Sequence, residues 1–141
     1  MASFNKFNAF VEHLAEKVHN LGSDTLKVAL TNTAPSSANS TFSDITEISS
    51  GNGYTAGGTA ATISSSAQTS GTYKLVLADV VFTASGGSIG PFRYAVLYND
   101  TPTSPADPLI GYWDYGSSVT LADTESFTVD FDASNGVMTL A

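Results

Sequence analysis

The chain has no cysteine among its 141 residues, which excludes a disulfide framework, a thiolate zinc site and a thiol nucleophile. Bases are nearly as scarce. Five Lys and Arg stand against 13 Asp and Glu, a formal net charge of −8, and charged residues make up only 13% of the chain. A nucleic-acid backbone is held by clustered cations, and this chain has too few of them, so no nucleic-acid partner is expected. The shortage is uneven. Residues 75–141 hold eight acids and the single base Arg93, whereas residues 1–74 hold five acids and four bases. Long apolar runs are missing too: no window approaches the stretch of about 18 residues that spans a membrane, and MASFNKFNAFVEHLAEKV lacks the apolar core of a secretion signal. The expectation is a product made in the cytoplasm with no membrane partner.

What the chain does have is 19 Ser, 17 Thr and 12 Gly alongside 42% hydrophobic residues and a mean hydropathy of +0.05. That composition is globular, turn-rich and β-leaning, and the length suits one domain over residues 1–141 with a single core. Residues 1–22 are expected to carry the one helix. Phe4, Phe7, Phe10, Val11, Leu14, Val18 and Leu21 fall within an arc of about 120° at 100° per residue, with Ser3 as N-cap and Leu21-Gly22 as the stop. Such a stripe either docks on the domain's own sheet or faces a partner. Three Phe so near a chain end make Phe4, Phe7 and Phe10 candidate partner-binding residues.

Beyond Gly22 the period changes to two. Leu26, Val28 and Leu30 alternate with Lys27, Ala29 and Thr31 as a half-buried strand, and a short helical turn is expected within residues 42–48 after a cap at Ser43. GNGYTAGG at 51–58 holds four glycines, a loop allowing tight backbone approach, with Tyr54 as a further candidate contact or core residue. Strands follow at 59–68 and 72–84, the second with an apolar phase slip across Ala78-Asp79 that predicts a bulge or bend. FRYAVLY at 92–98 is the most β-like segment. It is expected to be central, with Phe92, Tyr94, Val96 and Tyr98 on one face and Arg93 snorkelling or paired with an acid. LIGYWDY at 109–115, then strands within 119–121, 127–131 and 137–140, complete seven or eight, with Asn135-Gly136 as a hairpin turn between the last two. The fold expected is mainly β, an antiparallel sandwich or jelly-roll-like barrel over 23–141 with one N-terminal amphipathic helix.

Catalytic chemistry finds little footing. His13 and His19 lie about 120° apart on one continuous helix and so do not converge on a metal. The glycine loop lacks the Lys-Ser/Thr ending of a phosphate cradle, and no Gly-x-Ser-x-Gly elbow occurs. Asp130 and Asp132, with Asp123 and Glu125 nearby, read as a solvated acidic face, with a strand-end calcium site as the sharper alternative. Asp114 beside Trp113 and Tyr115 is the one acid in an aromatic setting suited to sugar contact. No enzyme, cofactor or metal is expected.

Read in order, LKVALTNTAP, GNGYTAGG, GGSIGPFRYAVLYND, PLIGYWDYG and ESFTVDFDASNGVMTL resemble a family of small virion structural proteins of tailed bacteriophages over residues 25–140. The resemblance implies a decoration (cement) protein on the virion's capsid surface, binding the major capsid protein and reinforcing the shell, with no catalytic residues and with self-association into a homotrimer. The candidate contacts are Phe4, Phe7, Phe10, Tyr54, Tyr112 and Trp113. Relatives of this kind also sit in tails. The alternatives are a tail-tip module gripping a host glycan or receptor through the Pro-rich loop 99–108 and Tyr112, Trp113 and Tyr115, or a tail-tube subunit that assembles into rings.

Overall fold

The computed structural model describes residues 2–141. The chain is mainly β, with antiparallel sheets packed as a sandwich and one short N-terminal helix. The elements run β1 (Asn5–Lys6), α1 (Asn8–Ala15), β2 (Leu26–Thr31), β3 (Thr59–Ala61), β4 (Ile63–Thr69), β5 (Thr72–Leu77), β6 (Val80–Thr83), β7 (Ile89–Asn99), β8 (Leu109–Leu121), β9 (Ser126–Val129) and β10 (Met138–Leu140). A five-stranded sheet in the order β1-β8-β7-β2-β3 faces a three-stranded sheet, β10-β5-β4, and a pair, β6-β9.

The main core lies between these layers. Leu26, Val28, Leu30, Leu97 and Ile110 from the large sheet meet Leu75, Leu77, Val80, Phe82 and Val129 from the others. The large sheet buries its opposite face as well. There Ala29, Val96, Tyr98 and Leu109 pack with Phe7, Phe42, Ile45 and Tyr112, and the Phe42 ring stacks on Tyr98 at 4.2 Å. Sequence alternation had suggested a half-buried β2. The structure covers it on both faces instead, Leu26, Val28 and Leu30 lying in the main core and Ala29 under Phe7, Phe42 and Ile45, with Thr31 also buried.

Where the apolar phase slips, the chain changes sheets. β5 pairs with β4 and β10, whereas β6, two residues on, pairs only with β9. Asp79 in the gap fastens this corner by accepting the N–H of Phe131 at 2.9 Å. Ser70 and Gly71 both have positive φ, the turn whose twist matches a two-residue hairpin between β4 and β5. At the far end the expected hairpin is absent: β9 pairs with β6 and β10 with β5, so Asn135-Gly136 turns the chain between sheets. Asp132 builds that turn by accepting the N–H groups of Ser134 and Asn135.

The helix is much shorter than residues 4–21. Residues 5–6 pair with Gly111 and Tyr112 of β8 as an edge strand, and α1 begins only after Phe7. The stop is local. Lys17 takes φ +67, and the Val18 N–H returns to the His13 carbonyl at 2.8 Å while the Lys17 N–H reaches Leu14, the Schellman pattern with lysine in the usual glycine position. The helical turn expected within 42–48 is present as a 3₁₀ turn at Phe42–Asp44, but Thr41 rather than Ser43 stands at its N-cap.

Candidate functional site

A recess opens between the large sheet and the β9 edge, and it begins with a fault in the β7–β8 ladder. Phe92 pairs with Val119 but Tyr94 pairs with Asp114, so residues 115–118 of β8 oppose only Arg93. Gly116, at φ +101, makes the bend, and its N–H donates to Asp114 Oδ1 at 2.8 Å. Two consequences follow for side chains. Tyr115 is thrust outward and is 57% exposed. Phe92 turns inward with Ala95 and Leu97, so it does not share a face with Val96 and Tyr98 as simple alternation predicts.

Arg93 grips Asp114 side-on, Nε to Oδ1 at 2.8 Å and Nη2 to Oδ2 at 3.0 Å. The guanidinium holds the Asp114 carboxyl below the usual carboxylate range, helped by the Gly116 N–H. The acid is therefore occupied, and it is not the free sugar-facing group that its neighbours Trp113 and Tyr115 suggested. The other wall comes from β9 and the strand end beyond it. Phe127 meets the Tyr115 ring edge-on at 5.3 Å, and Phe131 meets Trp113 at 5.4 Å. On the near side the N-terminal arm lays Phe4 against Trp113 at 5.4 Å. Gly111 makes room for it, since a Cβ there would lie 2.1 Å from the Phe4 ring.

These walls enclose a cleft of about 520 Å³. Leu30, Phe92, Ala95 and Val129 line its depth; Arg93, Tyr115, Asp130 and Asp132 line its mouth. Asp132 is held below the ordinary carboxylate range, first by the Asn135 N–H, then by the Asn135 side chain and the Ser134 N–H. Asp130 is exposed at the strand end. The arrangement takes up an apolar body and meets it at the mouth with paired and free carboxylates.

The six candidate contacts separate cleanly. Phe4 and Trp113 form part of the cleft, and Tyr112 lies half-buried against Phe7 on the opposite face. Phe7, Phe10 and Tyr54 are 0%, 1% and 2% exposed. They fill this domain's own cores and offer no surface to a partner, Phe7 and Phe10 because the N-terminal segment folds back over the sheet and Tyr54 because its hydroxyl is held by Leu30 and Glu47. Phe127, Phe131 and Asp130 were not singled out as contacts. Phe127 reaches the cleft from β9, which pairs with β6, and Asp130 and Phe131 from the chain just beyond it, a placement no local pattern signals.

The glycine loop holds the core rather than a ligand. The Tyr54 hydroxyl donates to Glu47 Oε1 at 2.7 Å and accepts the Leu30 N–H at 3.0 Å; the Gly57 N–H shares the same carboxylate oxygen. The Tyr98 hydroxyl donates to the Gly57 carbonyl at 2.6 Å. Burial pushes the Tyr54 phenol well above its ordinary range. Gly58 must stay bare, because at φ +80 its Cβ would sit 1.9 Å from the Val28 carbonyl oxygen.

His13 and His19 do come together, contrary to the angular argument, since the helix stops before His19. Their rings lie 6.0 Å apart, and His19 also packs on Phe10 at 5.2 Å. His19 Nδ1 faces Asn99 Nδ2 at 3.1 Å, while His19 Nε2 and His13 Nδ1 are buried without partners. Burial, reinforced by His13 and opposed by Asp24, lowers the His19 pKa to about 4. Among the described residues no three His, Cys, Asp or Glu side chains cluster to hold a metal, and no helix is long and apolar enough to cross a membrane. Asp123 accepts the Gly86 N–H from a distant segment, Glu125 the Ala122 N–H and Asp132 the Ser134 N–H, so the four acids weighed as a calcium site do not gather at one point.

No family model matches the chain, and no curated protein or solved structure is significantly similar to it.

Proposed function

We propose that this chain is a structural protein of a tailed-phage virion, a capsid decoration protein that binds the outside of the major capsid shell and stabilises it. The observation that carries the reading is the cleft: an open aromatic recess on a sandwich whose remaining surface is Ser-, Thr- and Asp-rich, a shape for adhesion. The motif order across residues 25–140 supports the particle. Many copies on one shell make a modest contact effective, because each further contact is made at high effective concentration. The acidic surface suits an exterior position, since it repels the nucleic acid inside.

Of the N-terminal segment, Phe4 belongs to the cleft face, whereas Phe7 and Phe10 are buried in the domain's own cores. Deleting residues 1–21 would strip Phe7, Phe10 and Leu21 from the core, so attachment is assigned to the cleft face, where Phe4 and Trp113 lie. The test mixes purified protein with shells assembled from the major capsid protein alone and measures co-sedimentation and shell melting. Saturable binding at a fixed copy number with a raised melting temperature is expected; shells that neither bind the protein nor gain heat resistance contradict the reading.

A further inference from the structure

We propose that the cleft between β8 and β9 is a socket for one apolar side chain of a partner polypeptide segment that carries Lys or Arg beside that anchor. This identifies the partner chemistry of the adhesive face and rests on the adhesive reading above. Three features of the recess converge on it. Its depth is lined by Leu30, Phe92, Ala95 and Val129, all nearly or fully buried in the core, so whatever enters must be apolar. The rings of Phe127 and Phe131 pack edge-on against Tyr115 and Trp113 at 5.3 and 5.4 Å, so these four rings present no flat open face on which a sugar ring stacks. The charge at the mouth selects the flanks. Among the described lining residues Arg93 is the one base, and it is spent on Asp114 through two hydrogen bonds; Asp132 is shared with Asn135, Ser134 and nearby Lys74, whereas exposed Asp130 carries an open negative charge. An acidic flank is repelled there and a basic one attracted, with Tyr115, 57% exposed, able to receive a cation on its ring. An anchor in a desolvated pocket ringed by polar contacts is the usual form of an interface hot spot.

Trp113 is the only tryptophan and lines the cleft, so its fluorescence reports occupancy directly. The intact protein is titrated with four probes: the end-blocked tripeptides Lys-Leu-Lys, Lys-Gly-Lys and Glu-Leu-Glu, and maltotriose. Lys-Leu-Lys is expected to change Trp113 emission saturably, and Lys-Gly-Lys to bind roughly tenfold more weakly because burial of the Leu side chain is lost. Glu-Leu-Glu is expected to bind several-fold more weakly than Lys-Leu-Lys, with the gap closing at about 1 M salt. Asp130→Asn, an exposed position outside both cores, should narrow the same gap without disturbing the fold. Ala95→Leu, which fills the floor, should weaken Lys-Leu-Lys and leave Lys-Gly-Lys unchanged.

The socket is overturned by an absent response to Lys-Leu-Lys, by equal responses with and without the Leu anchor, or by preference for Glu-Leu-Glu. Saturable binding of maltotriose in place of the peptides would make the cleft a glycan site and likewise overturn it. No shells enter this assay. Peptide binding without shell binding would therefore sink the decoration reading and keep the socket, and shell binding without peptide binding would do the reverse.

Discussion

Acidification from neutral pH should destabilise this protein, and His19 is the main reason. The ring sits 6% exposed against Phe10 and His13, with Nε2 unpartnered. Its pKa falls from 6.5 to about 4 because burial disfavours the charged ring, with His13 adding to the effect and Asp24 partly opposing it. Between those values the unfolded chain binds a proton that the native one refuses. Stability is therefore complete above pH 6.5 and drains as pH falls toward 4. At about 1.36 kcal/mol per pKa unit the loss approaches roughly 3 kcal/mol, with about 2.5 kcal/mol gone between pH 7.5 and 4.5. Against a typical stability of about 5–15 kcal/mol that is a large share. Below this window the losses change hands. Asp44, held down first by the Ser40 N–H, and Asp114, held down by Arg93, lose their partners' contribution only as pH drops under the usual carboxylate range. The assay is urea unfolding at pH 7.5, 6.5, 5.5 and 4.5 for the native chain and for His19→Leu. The variant should start less stable and show a nearly flat profile over this range. A native chain equally stable at pH 7.5 and 4.5, or a variant that keeps the full slope, would refute the assignment.

Three substitutions test the packing arguments. Tyr54→Phe removes the acceptor of the buried Leu30 N–H and the donor to Glu47, and should cost about 1–3 kcal/mol in chemical denaturation without loss of fold. Gly58→Ala drives a Cβ into the Val28 carbonyl at positive φ, and should cost more than about 3 kcal/mol or prevent folding, seen as lost near-ultraviolet dichroism. Lys17→Gly relieves a left-handed lysine, worth about 1–2 kcal/mol, less the greater freedom glycine gives the unfolded chain. The net is a Tm raised by about 2 °C in scanning calorimetry.

The strands were legible where alternation is undisturbed: β2 over 26–31 matches its sequence bounds, and FRYAVLY lies inside a central strand. The break at Ala78-Asp79 was legible too, although its meaning, a change of sheet, needs partners that lie far away in sequence. Failures came where one residue type suits two structures. Phe4, Phe7 and Phe10 satisfy a helical period equally as one helix face and as an arm plus a helix; pairing of Asn5 with Tyr112 decides between them. The helix ends on a lysine, which carries no stop signal, and the mistaken length then placed the two histidines apart. Of the cleft, Phe4, Trp113 and the Arg93 pairing with an acid were readable. Phe127, Phe131 and Asp130 were not, because a bulge opposite Arg93 and the β6–β9 pairing bring them there.

The central claim, that the chain works by covering a shell in many copies, is tested most directly by counting it in particles purified from cells that produce it. Quantitative gel densitometry against the major capsid protein should return hundreds of copies per particle. A handful would move the protein to the tail tip, and none would remove it from the virion altogether.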